Sequence, residues 1–406
     1  MTSRDLQVNL RALQTRLIGL GLEGSHFGVI LETFCAGLNT AGLSLMRAHV
    51  SLRAYHPEFG SLAHNWRRET GTQSQTFVHT EQPQQNWVSS PLYYLLENNI
   101  SEIRQRLTEP DPELWFPFFD DIRSQGATDY VAFKAFFADP EGGLAVDPNN
   151  TPEGCLISLT ADGPEGFSNQ ELDALRDLLP SLFLALKSGA NRQLAADIAT
   201  TYLGRDAGMR VLSGDIIRGS VQRLDTVICY FDLSGFTKLS ETLDGPEIIE
   251  MLNAYFALAV DVVQKHGGNV LKFMGDGMLF IFDVSKMEDA PRAAIEATVA
   301  IRGEMHRVSK RRMCDGLTAT GFTLALHSGE VLYGNIGGKT RLDFTVIGPA
   351  VNTTARLSSM CSHVDQNIVI SANVARPMQS KRSDLVSLGQ YRLRGVSERQ
   401  ELFTLD

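Results

Sequence analysis

Apolar positions recur at helical spacing at the start of the chain, at Leu6, Leu10, Leu13 and Leu17, which predicts an amphipathic helix over residues 1–20. A second helix is expected from Phe27 to Leu38. Alternation then takes over: Ala48–Tyr55 reads as a strand, with Leu62–Arg68 as its partner across a turn at Pro57 and Gly60. Residues 69–90 are polar and rich in Gln and Thr, which predicts a loop, and Leu92–Arg106 reads as a helix. An aromatic cluster (Trp115, Phe116, Phe118, Phe119, then Tyr130, Phe133, Phe136 and Phe137) leads into strands at Tyr130–Ala138 and Cys155–Thr160. The segment between them, 139–154, is a Pro/Gly/Asn-rich loop.

Ser168-Asn169-Gln170-Glu171 is a capping box that opens a long helix. Within that helix Leu172, Leu175, Leu179, Leu182 and Leu186 step by threes and fours, the spacing of a coiled-coil seam, and a dimer seam is expected there ahead of packing on the chain's own domain. Pro180 predicts a kink. Residues 189–223 combine a helix at Asn191–Leu203 with Gly204, Gly208, Gly214 and Gly219, a jointed connector. From Thr226 strands alternate with helices. The expected order is strand 226–232, helix Pro246–His266, hairpin 269–274/278–283, helix Asp289–Lys310 and strand 319–327. After Gly329 come a second hairpin (331–336 with 342–347), a helix from Pro349 to Met360, strand 368–371, a short helix Ala372–Met378, and closing strands 385–393 and 400–405.

The chain has 406 residues, 43% hydrophobic and 21% charged, enough for two or three domains with their own cores. A net charge of −10 with no long basic stripe argues against a nucleic-acid surface. The five cysteines are scattered without metal-ligand spacing, as expected of a reduced compartment. No basic-then-apolar leader and no apolar run of ~20 residues occurs, so no membrane span and a cytoplasmic location are expected.

Candidate chemistry concentrates in two stretches. Val227–Phe231 is a buried-strand pattern that ends in Asp232 and runs through Leu233, Ser234 and Gly235 into Phe236 and Thr237. Val270–Phe280 folds tightly on Gly275-Asp276-Gly277. Pairing of that hairpin with the first strand would bring Asp232 and Asp276 together beside backbone N–H groups, a setting for divalent cations and a polyphosphate. Asn352 and Arg356, four apart, share one helix face.

Phe231–Thr237, Leu271–Gly277 and Phe344–Gly348 followed by Val351–Leu357, in that order, closely resemble the catalytic domain of class III nucleotidyl cyclases. The resemblance implies an α+β fold with a ferredoxin-like βαββαβ core at 224–406, and conversion of ATP to 3′,5′-cyclic AMP and pyrophosphate. Asp232 and Asp276 match the ligands of two divalent cations (Mg2+ or Mn2+), and the amides of Leu233, Ser234, Gly235, Phe236 and Thr237 match the phosphate cradle. Lys272 and Thr345 match the purine readers: an ammonium that donates to adenine N1 and a hydroxyl that accepts from N6. Many members have Asp at the Thr345 position, and Asp343, two residues earlier, is not its equivalent. GTP-using members tend to have Glu and Cys or another polar residue in the Lys272 and Thr345 places, and guanylate cyclase and a non-catalytic nucleotide-binding module remain the alternatives. Asn352 and Arg356 match the pair that positions the ribose and stabilises charge on the α-phosphate. Arg394 lies near a further basic contact to the triphosphate. Because the family builds its site from two catalytic domains, the resemblance implies a symmetric homodimer with two sites. Residues 1–188 resemble a GAF-like α+β sensor: Leu156–Leu159, then Gly163, Gly166-Phe167-Ser168 and the Leu-rich helix end in the GAF manner. Their aromatic cluster would serve a small-molecule ligand or, as the plainer reading, form ordinary core.

Overall fold

The protein is described by a computed structural model covering residues 3–53, 59–78, 84–109, 111, 114–137, 153–396 and 398–406. It divides into two compact units, Met1–Asp197 and Ile198–Asp406.

The first unit is built on an antiparallel six-stranded sheet. Its strands are β1 (Leu45–Arg53), β2 (Phe59–Arg67), β3 (Gly71–Val78), β4 (Glu102–Arg106), β5 (Asp129–Phe136) and β6 (Gly154–Ala161), in the order β3-β2-β1-β6-β5-β4. One face presents Ala48, Val50, Val131, Ile157 and Leu159 to α1 (Ser3–Glu23), α2 (Phe27–Thr40) and the long helix α6 (Asn169–Leu203). The leucine stripe of α1 is buried in this core, as its spacing predicts. Against the other face lie α4 (Pro91–Glu97) and α5 (Pro117–Ser124), with the one-turn α3 (Gln85–Val88) before them. The capping box of α6 forms: the Ser168 amide and hydroxyl donate to the Glu171 carboxylate, and the Glu171 amide donates to Ser168 Oγ.

Three expectations for this half are corrected. Residues 71–78, read as loop, form the edge strand β3; an exposed edge needs no apolar alternation, so its Gln/Thr pattern concealed it. Leu92–Arg106 is not one helix: α4 ends at Glu97, Asn99 takes a left-handed φ of 51°, and the chain re-enters the sheet as β4. Leu172, Leu175, Leu179, Leu182 and Leu186 are not an exposed dimer seam, for all are buried in the core of their own unit. The loop expected at 139–154 falls almost wholly outside the described residues.

In the second unit α7 (Arg205–Leu212) precedes an eight-stranded sheet, order β13-β14-β12-β10-β7-β9-β8, with β11 added on β10. The central elements are β7 (Val221–Leu233), α9 (Gly245–Lys265), β8 (Asn269–Met274), β9 (Gly277–Asp283), α10 (Ala290–Cys314) and β10 (Phe322–Gly337). This is the βαββαβ sequence with strand order 4-1-3-2, the ferredoxin-like core expected. The short α8 (Phe236–Thr242) lies between β7 and α9, and α9 and α10 cover one face through Tyr255, Val263, Ile295 and Ile301. The remaining elements are β11 (Leu342–Ile347), α11 (Pro349–His363), β12 (Ile368–Ser371), α12 (Ala372–Gln379), β13 (Leu385–Tyr391) and β14 (Gln400–Leu405). Gly329 does not break a strand, as its position suggested. β10 runs through it, paired with β7 from Phe322↔Leu233 to Gly334↔Val221. A Cβ at residue 329 would come within 2.9 Å of the Ala350 methyl, so glycine there admits α11 against the strand.

Among the described residues no helix is long and apolar enough to cross a membrane, and the cysteines are free thiols.

Candidate active site

β7 is fully buried from Val227 to Cys229, and the strand emerges at Asp232. Beside it, β8 and β9 form a hairpin whose turn opens on Gly275 at φ 68°, a conformation that costs glycine nothing. In the β7–β9 ladder Asp232 faces Gly277, and the Leu233 amide donates to the Asp276 carbonyl at 3.2 Å. The two carboxylates are thereby fixed side by side at one end of the strand pair. A Cβ on Gly277 would lie 3.0 Å from Asp232 Oδ1, so a larger residue would crowd the carboxylate.

Burial, and then the Asp276 carboxylate, pushes the Asp232 carboxyl up to about 6. Burial raises the Tyr230 phenol as well, with both aspartates adding to the effect. Among the described residues no Lys, Arg or His forms an ion pair with either aspartate. Two converging carboxylates without a cation from the chain fit a divalent ion. Among the described residues no group of three or more His, Cys, Asp or Glu is placed to hold a metal ion, and the carboxylates meeting here are those of Asp232 and Asp276.

The adjoining loop is less free than the sequence suggested. The amides of Leu233 and Ser234 donate to the carbonyls of Asp276 and Gly321, the latter at 3.0 Å, and Thr320 Oγ1 donates to the Ser234 carbonyl at 2.6 Å. Those two amides are therefore removed from the expected phosphate cradle. Gly235 (φ 68°), Phe236 and Thr237, which open α8, are not engaged in this way.

Tertiary folding brings Lys272 to the strand that carries Thr345. The β10–β11 hairpin lies over the sheet face opposite α9 and α10, where Phe344 and Val346 pack with Leu271, Leu279 and Ile281. There the Lys272 ammonium meets the Asp343 carboxylate at 3.0 Å. Thr345, buried, follows two residues along the same strand face. Asp343 is thus a residue whose part sequence reasoning missed; the one signal available was its i, i+2 relation to Thr345.

On α11, Thr354 and Leu357 face the core, leaving Asn352 exposed and Arg356 half-buried off that face. Arg356 lies against Gly395 (φ 69°), where a Cβ would come 3.3 Å from its guanidinium. Arg394, exposed, is therefore adjacent in sequence to a residue that touches Arg356. No hydrogen bond or ion pair among the described residues joins the aspartates to Lys272, Thr345, Asn352 or Arg356.

Residues 220–406 match the family profile described as the adenylate and guanylate cyclase catalytic domain. An adenylate cyclase from Anabaena cylindrica is 30% identical over 164 residues, 40% of this chain and 32% of that protein. An uncharacterized protein of Mycobacterium tuberculosis strain H37Rv is 27% identical over 231 residues, 56% of this chain and 40% of its own. The chain thus spans about a third to two fifths of the length of these relatives. Among solved structures, the adenylyl cyclase CyaB from P. aeruginosa is 26% identical with a TM-score of 0.43, covering 46% of this chain and 96% of that one. The guanylyl cyclase Cya2 is 28% identical with a TM-score of 0.41, covering 46% and 93%.

Proposed function

With residues 220–406 an adenylate and guanylate cyclase catalytic domain, we propose that the chain is an adenylate cyclase, forming 3′,5′-cyclic AMP and pyrophosphate from ATP at a site shared by two copies. The observation that carries the reading is the meeting of Asp232 and Asp276 with, among the described residues, no cation paired to either. They would hold two divalent ions, Mg2+ or Mn2+, which when bound supply charge neutralisation and activation of the 3′-hydroxyl. Gly235, Phe236 and Thr237 offer their amides to the β- and γ-phosphates. Lys272 donates to adenine N1 and Thr345 accepts from N6. Asn352 holds the ribose so that the 3′-oxygen lies in line with the α-phosphorus, and Arg356, with Arg394 nearby, stabilises charge on the phosphoryl oxygens. The new bond joins the 3′-oxygen to the α-phosphorus, the bond to the β-phosphate oxygen breaks, and the hydroxyl proton leaves to solvent. The resemblance of these motifs to sites built from two catalytic domains supports a homodimer in which each site draws on both copies.

A second reading, guanylate cyclase, has one observation in its favour. The Asp343 carboxylate beside Lys272 could accept from guanine N1–H and N2–H. The deciding experiment compares cyclic nucleotide formed from ATP and from GTP with Mg2+ or Mn2+, using Asp232→Asn as the inactive control. ATP turnover above GTP turnover is expected; preference for GTP would give the second reading, and no product from either would remove both. The N-terminal unit is read as a GAF-like sensor that adjusts this activity, supported by its antiparallel sheet between helices and the Leu-rich helix that ends it. Comparing the full chain with residues 205–406 for basal turnover tests that role.

A further inference from the structure

The face of the six-stranded sheet turned away from α1, α2 and α6 should, on packing grounds, be apolar beneath α4 and α5. Instead a polar row crosses it. Gln105 pairs with Tyr130, Tyr130 with Thr160, Thr160 with Arg47, and Arg47 with Arg67, so all five side chains share one rung and one face. Two residues along, Ser158 and Asn65 flank His49 on the same face. Gln105, Tyr130, Ser158 and Thr160 are buried, and Arg47 and His49 half-buried.

The charges in this row do not balance. The Arg47 guanidinium sits 4.9 Å from the Phe118 ring centroid, and its polar side-chain partner is the Asn65 amide oxygen at a long 3.4 Å. Arg67, directly opposite on β2, donates to the Gln125 amide oxygen at 3.0 Å. Nearby carboxylates are committed elsewhere, Asp129 to Arg104 at 2.7 Å and Asp162 to Arg68 at 2.8 Å. Among the described residues neither Arg47 nor Arg67 has an ion pair. A cation withdrawn from water ordinarily acquires an anionic partner, because burial without one is costly. Here the half-buried Arg47 has only a neutral acceptor and faces a second cation across the strand pair, Arg67, whose exposed guanidinium also has only a neutral acceptor. Burial, and then Arg67, lowers the Arg47 guanidinium from its usual range.

We infer that this face of the N-terminal unit is a binding site for a small organic anion, a carboxylate or phosphate group held by Arg47 and Arg67 beside His49 and Ser158. A planar guanidinium presents paired N–H donors that suit either oxyanion. Phe118, stacked on Arg47, supplies an apolar wall, and the buried Tyr130, Ser158 and Thr160 side chains form a polar floor.

All three tryptophans of the chain, Trp66, Trp87 and Trp115, lie in this unit, so intrinsic fluorescence of the full chain reports on it and not on the second unit. The experiment titrates inorganic phosphate and, separately, succinate into the full chain with EDTA present, with glycerol as a neutral control. At least one anion, at millimolar concentration, should shift tryptophan emission saturably while glycerol does not. Succinate acting alone identifies a carboxylate ligand, and phosphate acting alone a phosphorylated one. Arg47→Gln should abolish the response. Arg67→Gln, an exposed change that leaves the fold in place, should weaken binding about tenfold or more, and Arg47→Lys should retain part of it. No saturable response in the wild type, or one unchanged in both Arg47→Gln and Arg67→Gln, overturns the inference. The readout does not depend on nucleotide turnover, so it stands or falls apart from the cyclase reading.

Discussion

The Lys272 ammonium and the Asp343 carboxylate lie 3.0 Å apart, although 71 residues separate them in sequence. The lysine side chain is 33% exposed and the aspartate 59%, so the pair contributes little to stability, on the order of 0–1 kcal/mol. Its interest lies in chemistry: the residue proposed to read the purine carries a carboxylate beside it.

Replacing that carboxylate should alter base choice. Asp343→Asn removes an acceptor suited to guanine and frees the lysine to donate. The GTP-to-ATP ratio of kcat/KM should fall, with kcat/KM for ATP within about threefold of wild type, whereas Lys272→Glu should cost ATP at least about tenfold. Steady-state kinetics on both nucleotides checks this, and an unchanged ratio in Asp343→Asn would detach Asp343 from the purine.

Asp232 permits a test that needs no turnover. Its folded-state pKa, up at about 6, exceeds the ordinary ~3.9 of an unfolded aspartate, so the folded protein binds the proton more tightly. In EDTA the wild type therefore loses stability as pH rises from about 4 through about 6 and keeps that deficit at pH 8. Asp232→Asn should melt higher than wild type at pH 8, by about 1–2 kcal/mol once solvent screening of a half-buried group is allowed for, and the gap should close towards pH 4. Added Mg2+ or Mn2+ should reverse the order by stabilising the wild type alone. In the same metals turnover of Asp232→Asn or Asp276→Asn should drop at least ~10³-fold. Thermal melts and product assays across pH supply the readouts.

The shared site predicts recovery from mixtures. Asp232→Asn and Arg356→Ala should each be nearly inactive alone. Random exchange makes about half the dimers mixed, each with one intact site of two, so activity should return to roughly a quarter of wild type. Equal mixing followed by a cyclic AMP assay measures it. If exchange is demonstrated independently and no activity returns, the aspartates and Arg356 do not act across copies.

Leu182, fully buried, should act within its own unit. Leu182→Ala is expected to lower N-terminal stability by about 2–5 kcal/mol, seen by tryptophan fluorescence in denaturant. Sedimentation should give the same association state as the wild type; a selective loss of association would return this leucine to an interface.

What the sequence disclosed about this molecule depended on how local each signal was. Asp232 and Asp276 could be paired in advance because a strand ending and a Gly275-Asp276-Gly277 turn are local features, and one ladder joins them. The leucines of α6 were ambiguous because a three-four spacing serves a coiled coil and a globular core alike. β3 was hidden because an edge strand exposed to water carries no apolar rhythm. Gly329 read as punctuation, yet its glycine answers to Ala350 on a helix twenty-one residues later. The approach of Asp343 to Lys272, and the polar row through Arg47 and Tyr130, depend on strands meeting from distant segments. No window of local sequence contains them.

The long pairing of β7 with β10 also sets a timetable for synthesis. Leu233 and its partner Phe322 are separated by about 90 residues, which at translation rates of roughly 5–20 residues per second is a wait of several seconds or more. Throughout it the apolar middle of β7, including Cys229, has no partner on one side, and closing so long a loop is entropically slow. This inner strand of the second unit is made early and completed late. During biogenesis it is the segment that a chaperone would need to shield, and its thiol is the one that a labelling reagent should catch on stalled ribosomes and miss on the released protein.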